Sequence, residues 1–579
     1  LPGISLFFDA NKNLKREEIL KTLKEFPLKN YKVDLIFQDD SFLVFSIFYN
    51  FYPFKIFKNN NFLIFFEGKI YNKADKEIEE RLKEIYEDFL KDSKYKDKIR
   101  NFISETDGEY IIGIFDKNKF LIFNDPLGRL PLYYFKNEEN FFLSRDIGVL
   151  NKIIQKKEID LEGILEYLIF MYPIDNKTLI KNVQRSFPGE IFEFKNGKIK
   201  IYKIFEWNFE EKQNISYKKS LEILYENFIE GLKNRVENFK DFNLILGLSG
   251  GFDSRIVFLG LKKLNFNFYP VTFVDPDKKH LKDLFVSKKI AEISKMNLRI
   301  FDIKEFKLES IKELIEIKGG LNYAEMGFLI DFLKEAKKTY GEKSIYFTGD
   351  GGDKILPYIL PEKRFKDYEE LLKWIIIKNK IFGLDEIQKI SNLNIKKIKE
   401  NILEKIYLYP EKNLNYKYIH FLFYERCFNW LFEGEDRNRY FMFSTTPFYA
   451  LELFKNGIFI PDKYKKYYKI YRDFFKILDG EIAKIEKSFF GFNIFSKKML
   501  LREFLKYNFS KFLFVTQIIE KNKEKIYTPP FPLKEKFIEL MKRNEILKEI
   551  FNFKNLEKIP LTKNKFFTLL TLLLFFENF

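Results

Sequence analysis

Short apolar runs, broken by Gly, Asn and Asp, dominate residues 1–207. Phe42 to Phe48, Phe62 to Phe66 and Tyr110 to Phe115 are predicted strands. Between them, Ile78, Leu82, Ile85 and Phe89 recur at helical spacing, which predicts a helix over Lys76 to Leu90. The pattern turns polar at Asn208, Glu210, Glu211, Lys212, Gln213 and Asn214, so a boundary is expected there, dividing the chain into 1–207 and 215–579. A long helical pattern starts at Lys218, and strands and helices then alternate. The strands are Phe242 to Leu248, Tyr269 to Val274, Leu298 to Ile303 and Ser344 to Thr348. The intervening helices include Asp253 to Leu264 and Leu281 to Met296. Strands apolar on both faces and alternating with helices predict a parallel sheet covered on both sides. From Asp367 onward the pattern is nearly all helical.

Length and composition change this picture little. At 579 residues the chain exceeds the roughly 250–300 residues at which single cores stop growing. A net charge of +17 would suit a polyanionic partner, but the lysines are spread along amphipathic segments beside Glu, without a run of like charge. Nucleic acid is therefore not an expected partner. A single Cys427 and two distant histidines, His280 and His420, exclude a disulfide framework and a Cys/His zinc site, and a reducing cytoplasm is the simplest compartment. No signal-like segment is visible at Leu1 to Ser5. The apolar run Phe566 to Phe576 is shorter than the roughly 20 residues of a spanning helix, so no membrane association is expected.

Chemistry enters at Leu248-Ser249-Gly250-Gly251-Phe252-Asp253-Ser254, set between an apolar strand and a helix. The first amides of a helix lack intrahelical partners, and paired glycines let the backbone approach phosphate closely. Asp253 would repel phosphate unless Mg²⁺ lay between them, so the loop predicts a metal as well as an anion. Neither the spacing of a Walker loop nor that of a dinucleotide fingerprint occurs here. A second oxygen-rich turn, Thr348-Gly349-Asp350-Gly351-Gly352-Asp353, follows another strand of the same sheet. Its two carboxylates, three residues apart, could converge on one Mg²⁺-pyrophosphate at the sheet edge where such folds bind ligands.

Ser249-Gly250-Gly251-Phe252-Asp253-Ser254 resembles the Ser-Gly-Gly-x-Asp-Ser loop of the PP-loop ATP pyrophosphatases, and Gly349 to Lys354 is similar to the Gly-Glu-Gly-x-Asp-Glu motif of asparagine synthetases. In that comparison Asp350 replaces Glu and Lys354 replaces an acid. The resemblance continues upstream in Gly68-Lys69-Ile70-Tyr71-Asn72, in Asp107-Gly108, in Asn124 to Tyr134 and in Ser186-Phe187-Pro188-Gly189. It implies an Ntn-type αββα glutaminase-like domain followed by an α/β PP-loop domain with a helical extension. It further implies ATP and Mg²⁺ as cofactors, with Asp253 and Asp353 holding Mg²⁺-pyrophosphate. Ser249, Gly250, Gly251 and Ser254 would cradle phosphate, and Leu248, Val274, Thr348 and Gly349 would line the adenosine site. Asp350 would assist the attacking amine.

The departures carry equal weight. A glutaminase of this type uses an N-terminal cysteine, and if Leu1 stands for the initiator, Pro2 occupies that position. Glu67 stands where the family has an oxyanion-stabilising Asn. An inactive glutaminase is expected. Downstream, Glu435-Asp436-Arg437, Pro447-Phe448 and Lys469-Ile470-Tyr471-Arg472 follow the family's order with imperfect spacing. Lys469 and Arg472 are the catalytic candidates, although in strict register the family's lysine falls on Tyr468. The resemblance implies adenylation of a carboxylate, by default aspartate, and amide formation with ammonia. Small carboxylate and amine substrates, an ammonia-supplying partner and a second copy of the chain are the expected partners. A ligase on another carboxylate, a silent nucleotide-binding homologue and an RNA-modifying enzyme are the alternative readings.

Overall fold

The computed structural model describes residues 1–12, 14–25, 31–58, 62–116, 119–488, 491–509, 525–543 and 545–577. Two antiparallel six-stranded sheets form the N-terminal part. One runs, in spatial order, through Val183–Arg185, Tyr133–Lys136, Asn140–Ser144, Gly3–Asp9, Phe42–Phe48 and Lys32–Gln38. The other runs through Lys198–Lys203, Glu190–Lys195, Lys119–Asn124, Gly108–Asp116, Leu63–Ile70 and Phe54–Lys58.

Alternation of side chains along these strands builds three apolar layers. Ile4, Leu6, Val44, Phe65, Ile111 and Ile122 pack between the sheets. Ile64, Phe66 and Ile112 face outward onto Ile78, Leu82, Ile85 and Phe102 of the helices Asp75–Leu90 and Tyr95–Glu105. On the opposite side Phe7, Leu43 and Phe45 meet Ile19 and Leu23 of helix Arg16–Glu25 and Val149 of helix Ile147–Ile153. The result is the expected αββα sandwich.

The second part holds a five-stranded parallel sheet in the order Arg299–Asp302, Tyr269–Val274, Asn243–Gly247, Ser344–Phe347 and Phe443–Thr445. Chain order reverses between Asn243–Gly247 and Ser344–Phe347, the position where doubly wound sheets open a crevice at the carboxyl ends of their strands. Both oxygen-rich turns emerge there. The edge strand Phe443–Thr445 is an exception within the nearly all-helical segment expected after Asp367. Three residues are too few for a periodic signal, and only pairing with Ser344–Phe347 makes them a strand.

The two parts share one apolar core. Tyr167, Leu168 and Ile169 of helix Leu161–Phe170 belong to the same cluster as the sheet residues Ile245 and Leu246. Phe566 to Phe576, which lie in helix Lys563–Glu577, are buried in that cluster too. No helix among the described residues is long and apolar enough to cross a membrane.

Candidate active site

Strand Asn243–Gly247 delivers the chain to Leu248, whose amide donates to Val271 O at 2.7 Å. The loop then closes on itself: Ser249 N donates to Ser254 Oγ at 3.1 Å, and Gly251 N donates to Ser249 Oγ at 3.1 Å. Gly250 N donates instead to Asp283 Oδ1 at 3.1 Å. That carboxylate sits on the loop amide as a phosphate oxygen would. Helix Phe252–Lys263 starts immediately afterwards and carries Asp253 in its first turn.

The turn after Ser344–Phe347 packs directly against that helix start. A Cβ on Gly349 would lie 2.3 Å from Ser254 N, and one on Gly352 would lie 2.5 Å from Asp253 Oδ1. The glycines are therefore required by close approach, and Gly351 additionally holds φ at +96°. This packing sets Asp253 and Asp353 against each other. Burial and then the Asp353 charge push the Asp253 carboxyl up to about 6, while Tyr471, donating to Oδ1 at 2.6 Å, opposes the shift. Asp350 is also pushed up to about 6, first by its protein surroundings and then by Glu435. Asp353 is paired with its neighbour Lys354.

A cavity of about 410 Å³ opens above these groups. Leu248, Ser249, Gly251, Asp253, Ser254, Thr348, Gly349 and Asp350 line it, as the sequence pattern anticipates. Val274 and Gly250 do not reach its wall, and Thr272 and Phe273 of the same strand do. Asp353 faces a second cavity on the other side of its glycine turn.

The structure does not bring Lys469 and Arg472 to the two turns: both belong to helix Lys469–Leu478, neither lines the cavity above Asp253 or the one that Asp353 faces, and the Lys469 ammonium lies 4.1 Å over the ring of Tyr217. The helix turns Tyr471 toward Asp253 instead, because an inward position at 471 places 469 and 472 about 200° and 100° away at 100° per residue.

Besides Lys354, a cation beside the carboxylates is Lys487, absent from the sequence expectation. Burial lowers its pKa, and Asp253 and Asp353 act against that shift. Its segment is clamped to the loop by Arg255, whose fully buried guanidinium donates to Ile485 O at 2.8 Å and Glu486 O at 3.1 Å. Its proximity depends on a fold contact 234 positions along the chain from Asp253, so no local spacing announces it.

Arg437 is a further cation. It lines the first cavity, is 6% exposed, and donates to Asn322 Oδ1 and Asn438 Oδ1, both at 3.0 Å. Its Nε has no hydrogen-bond partner, and it forms no ion pair among the described residues. Burial lowers its pKa to about 10, with Asp350 acting against this. A buried guanidinium with an unused donor beside a cavity can receive an anionic ligand.

The N-terminal half of the predicted machinery is filled by protein. Glu67 accepts from Arg145 Nε at 2.8 Å, Tyr52 OH at 2.7 Å and Ile4 N at 3.2 Å. Arg145 continues to Asp436 Oδ1 at 2.6 Å, and Asp436 Oδ2 meets Lys318 Nζ at 2.8 Å. Lys318 also contacts Glu433, which accepts from Arg185 Nε at 3.1 Å and Tyr133 OH at 2.6 Å. Alongside, Arg129 bridges Glu435 and Glu109. The motif residues Asp107 and Arg129 thus tie the two parts together, Asp107 through Arg235 at 2.7 Å.

Comparison with known proteins follows these lines. The glutamine amidotransferase domain family model matches residues 52–205. "Asparagine synthetase [glutamine-hydrolyzing] 1" of Bacillus subtilis (strain 168) is 26% identical over 214 residues, which cover 35% of this chain and 33% of that protein. The chain thus spans about a third of the length of that curated relative. Two solved structures share 10% identity over 52% of this chain. They are glutamine phosphoribosylpyrophosphate amidotransferase from B. subtilis with ADP and GMP (65% of that chain, TM-score 0.22) and the allosteric regulatory enzyme of purine biosynthesis (80%, TM-score 0.24). Likenesses of that size do not bear on the fold. Residues 52–205 thus match a glutamine amidotransferase domain, and the matched domain and the relative support an asparagine synthetase-like family for a chain with such a domain at its N-terminal end.

Proposed function

We propose that the chain is an ATP-dependent amide ligase that releases AMP and pyrophosphate and draws its nitrogen from ammonia or another amine rather than from glutamine bound in its own N-terminal domain. The observation that carries this reading is the meeting of Asp253 and Asp353 beside an anion-receptive helix start at the switch point of a parallel sheet. Two carboxylates suit Mg²⁺, which takes one or two of them and completes its shell with water and phosphate oxygens. Among the described residues no larger cluster of metal-binding side chains competes with them.

Ser249, Gly251 and Ser254 would receive the phosphates, and Leu248, Thr272, Phe273 and Thr348 would enclose the nucleoside. Mg²⁺, when bound by Asp253 and Asp353, would neutralise charge on the leaving pyrophosphate. A carboxylate oxygen of the substrate attacks the α-phosphorus, and the bond to the bridging oxygen of the β-phosphate breaks. Lys487 supplies a fixed positive charge where negative charge accumulates. Arg437 orients an anionic group of the substrate at the inner wall. The amine nitrogen then attacks the acyl carbon, its proton passes to Asp350, and AMP leaves. An ionised Asp350 can accept that proton near neutral pH, because its pKa of about 6 keeps it mostly ionised yet more basic than an ordinary carboxylate.

The nitrogen source follows from Glu67. Its carboxylate occupies the position of a neutral hydrogen-bond donor, and its pairing with Arg145 fills the space beside Gly3, where even a Cβ would lie within 2.4 Å of Arg145. An oxyanion would meet negative charge there. The test is pyrophosphate release from Mg-ATP with a carboxylate panel that begins with aspartate, supplied with ammonium salt or with glutamine. Release with ammonium but not glutamine is expected. Equal release with glutamine would overturn the nitrogen source, and absence of release with every acid would leave a nucleotide-binding protein.

A further inference from the structure

The turn Gly349 to Asp353 is a partition. Gly349 and Asp350 line the first cavity, and Asp353 and Lys354 line a second one of about 440 Å³. That volume falls within the range of about 300–1,000 Å³ of clefts that enclose drug-sized ligands. The walls are aromatic: Tyr358, Trp374, Tyr418 and Tyr468. Two of its acids are paired, Asp353 with Lys354 and Glu503 with Arg502, and Glu362 lies beside Tyr358 and Tyr507 with its Oε1 left without a hydrogen-bond partner. Arg426 also lines this cavity, donates to Asn379 Oδ1 at 3.3 Å, and has no carboxylate partner among the described residues.

Two backbone features aim these side chains. Arg426 comes from Leu422–Leu431, a π-helical stretch, a rare geometry that recurs frequently at functional sites. Tyr467 and Tyr468 both lie on the cavity wall in the left-handed region, at φ of 54° and 58°. Bulky residues adopt that conformation only when their surroundings impose it. The second of these tyrosines begins the helix that brings Tyr471 to Asp253, so the aromatic wall and the carboxylate pair are parts of one construction.

Resting on the reading that the first cavity takes ATP, we propose that the second cavity is the acyl-substrate site and selects an acid with an aromatic or similarly planar body and a second anionic group. The planar body stacks on Trp374, Tyr418 and Tyr468, and Arg426 holds the distal anion. The reacting carboxylate reaches past Asp353 to the phosphate loop. There its oxygen bonds to the α-phosphorus of ATP, the bond to the β-phosphate oxygen breaks with its electrons leaving on pyrophosphate, and a mixed acyl anhydride with AMP results. Aspartate would leave most of such a cavity filled with water.

The experiment measures pyrophosphate release by the full chain with Mg-ATP, ammonium and three acids: aspartate, benzoate and the aromatic diacid isophthalate. Binding of ATP to the same protein is followed by calorimetry. The expected result is a KM for isophthalate at least tenfold below that for aspartate. Arg426→Ala should raise the isophthalate KM tenfold or more, leave the benzoate KM and the ATP affinity within twofold, and be partly rescued by Arg426→Lys. ATP binding without any preference among the acids would overturn the assignment. So would an Arg426→Ala change that affects only product inhibition by pyrophosphate, which would make the cavity the exit for that product. If no acid turns over, failure of isophthalate to bind the ATP-loaded chain overturns it equally. Loss of ATP binding in the unaltered chain refutes the first-cavity reading on its own account.

Discussion

Two clusters of charge lie close together in this molecule, one buried and one partly open to solvent, and they are built on opposite rules. Around Glu67 and Asp436 every charge meets an opposite one: Arg145 between Glu67 and Asp436, Lys318 between Asp436 and Glu433, Arg185 on Glu433. Around Asp253 like charges are adjacent, and Arg437 is left without an ion pair among the described residues. The first arrangement fixes geometry and excludes ligands. The second leaves electrostatic demand unmet, as a site does whose missing partner arrives with the substrate. Position in the sheet order accounts for the difference: the open cluster sits at the switch point of the parallel sheet, whereas the closed one is wedged between the two halves of the chain.

The contrast breaks first at Asp253. Asp253→Asn removes one of two repelling carboxylates, so pyrophosphate release should fall by about 10³-fold or more while the thermal midpoint holds or rises. Retained turnover would remove the loop from the chemistry.

The closed cluster should respond in the reverse sense. Arg145→Ala strands Glu67 and Asp436 and should destabilise the fold by about 3–5 kcal/mol in chemical denaturation, with ATP affinity of the folded fraction unchanged. Adding Glu67→Gln should recover part of that loss. A stability change under about 1 kcal/mol would show that the network is not a structural seal.

Between these lies the choice of lysine. Lys487→Ala is expected to lower kcat by about 10²- to 10³-fold and Lys469→Ala by no more than about twofold, compared at saturating ATP. The reverse ranking would restore the residue favoured by motif order.

The smallest effect tests a residue that touches both clusters. Glu435 pairs with Arg129 in the closed network and raises the pKa of Asp350 in the open one. A base must be ionised, so kcat should rise with pH through about 6 and level off above it. Glu435→Gln withdraws a negative charge, favours ionised Asp350, and should move that limb to lower pH. An unmoved limb would assign the ionisation to another group.

Much of this was legible in the sequence. Apolar alternation gave the strands Phe42–Phe48 and Tyr269–Val274 at the bounds observed. The loop Ser249 to Ser254 was readable as a candidate anion site because its residues are contiguous and its shape depends on local backbone geometry: a strand, two glycines and a helix start. The second turn was readable for the same reason. Lys487 and Arg426 were not, because each acquires its role from contacts far along the chain. Motif order points to Lys469, whereas Tyr471 is the residue of that helix that reaches Asp253, because motif order records succession and the direction of a helical side chain is set by 100° steps from the residue that packs inward.

The sequence by itself determined the local devices: where strands and helices form, where a glycine loop runs into a helix start, and which carboxylates stand within one turn of each other. Tertiary structure decided which charges are neutralised and which are left for a ligand. Glu67 is buried against Arg145 and Asp253 is set beside Asp353, and nothing in the identity of either acid foretells its neighbour. The physical reason is that electrostatic energy depends on distance and burial in three dimensions, and the chain specifies these only after its halves have packed on a common core.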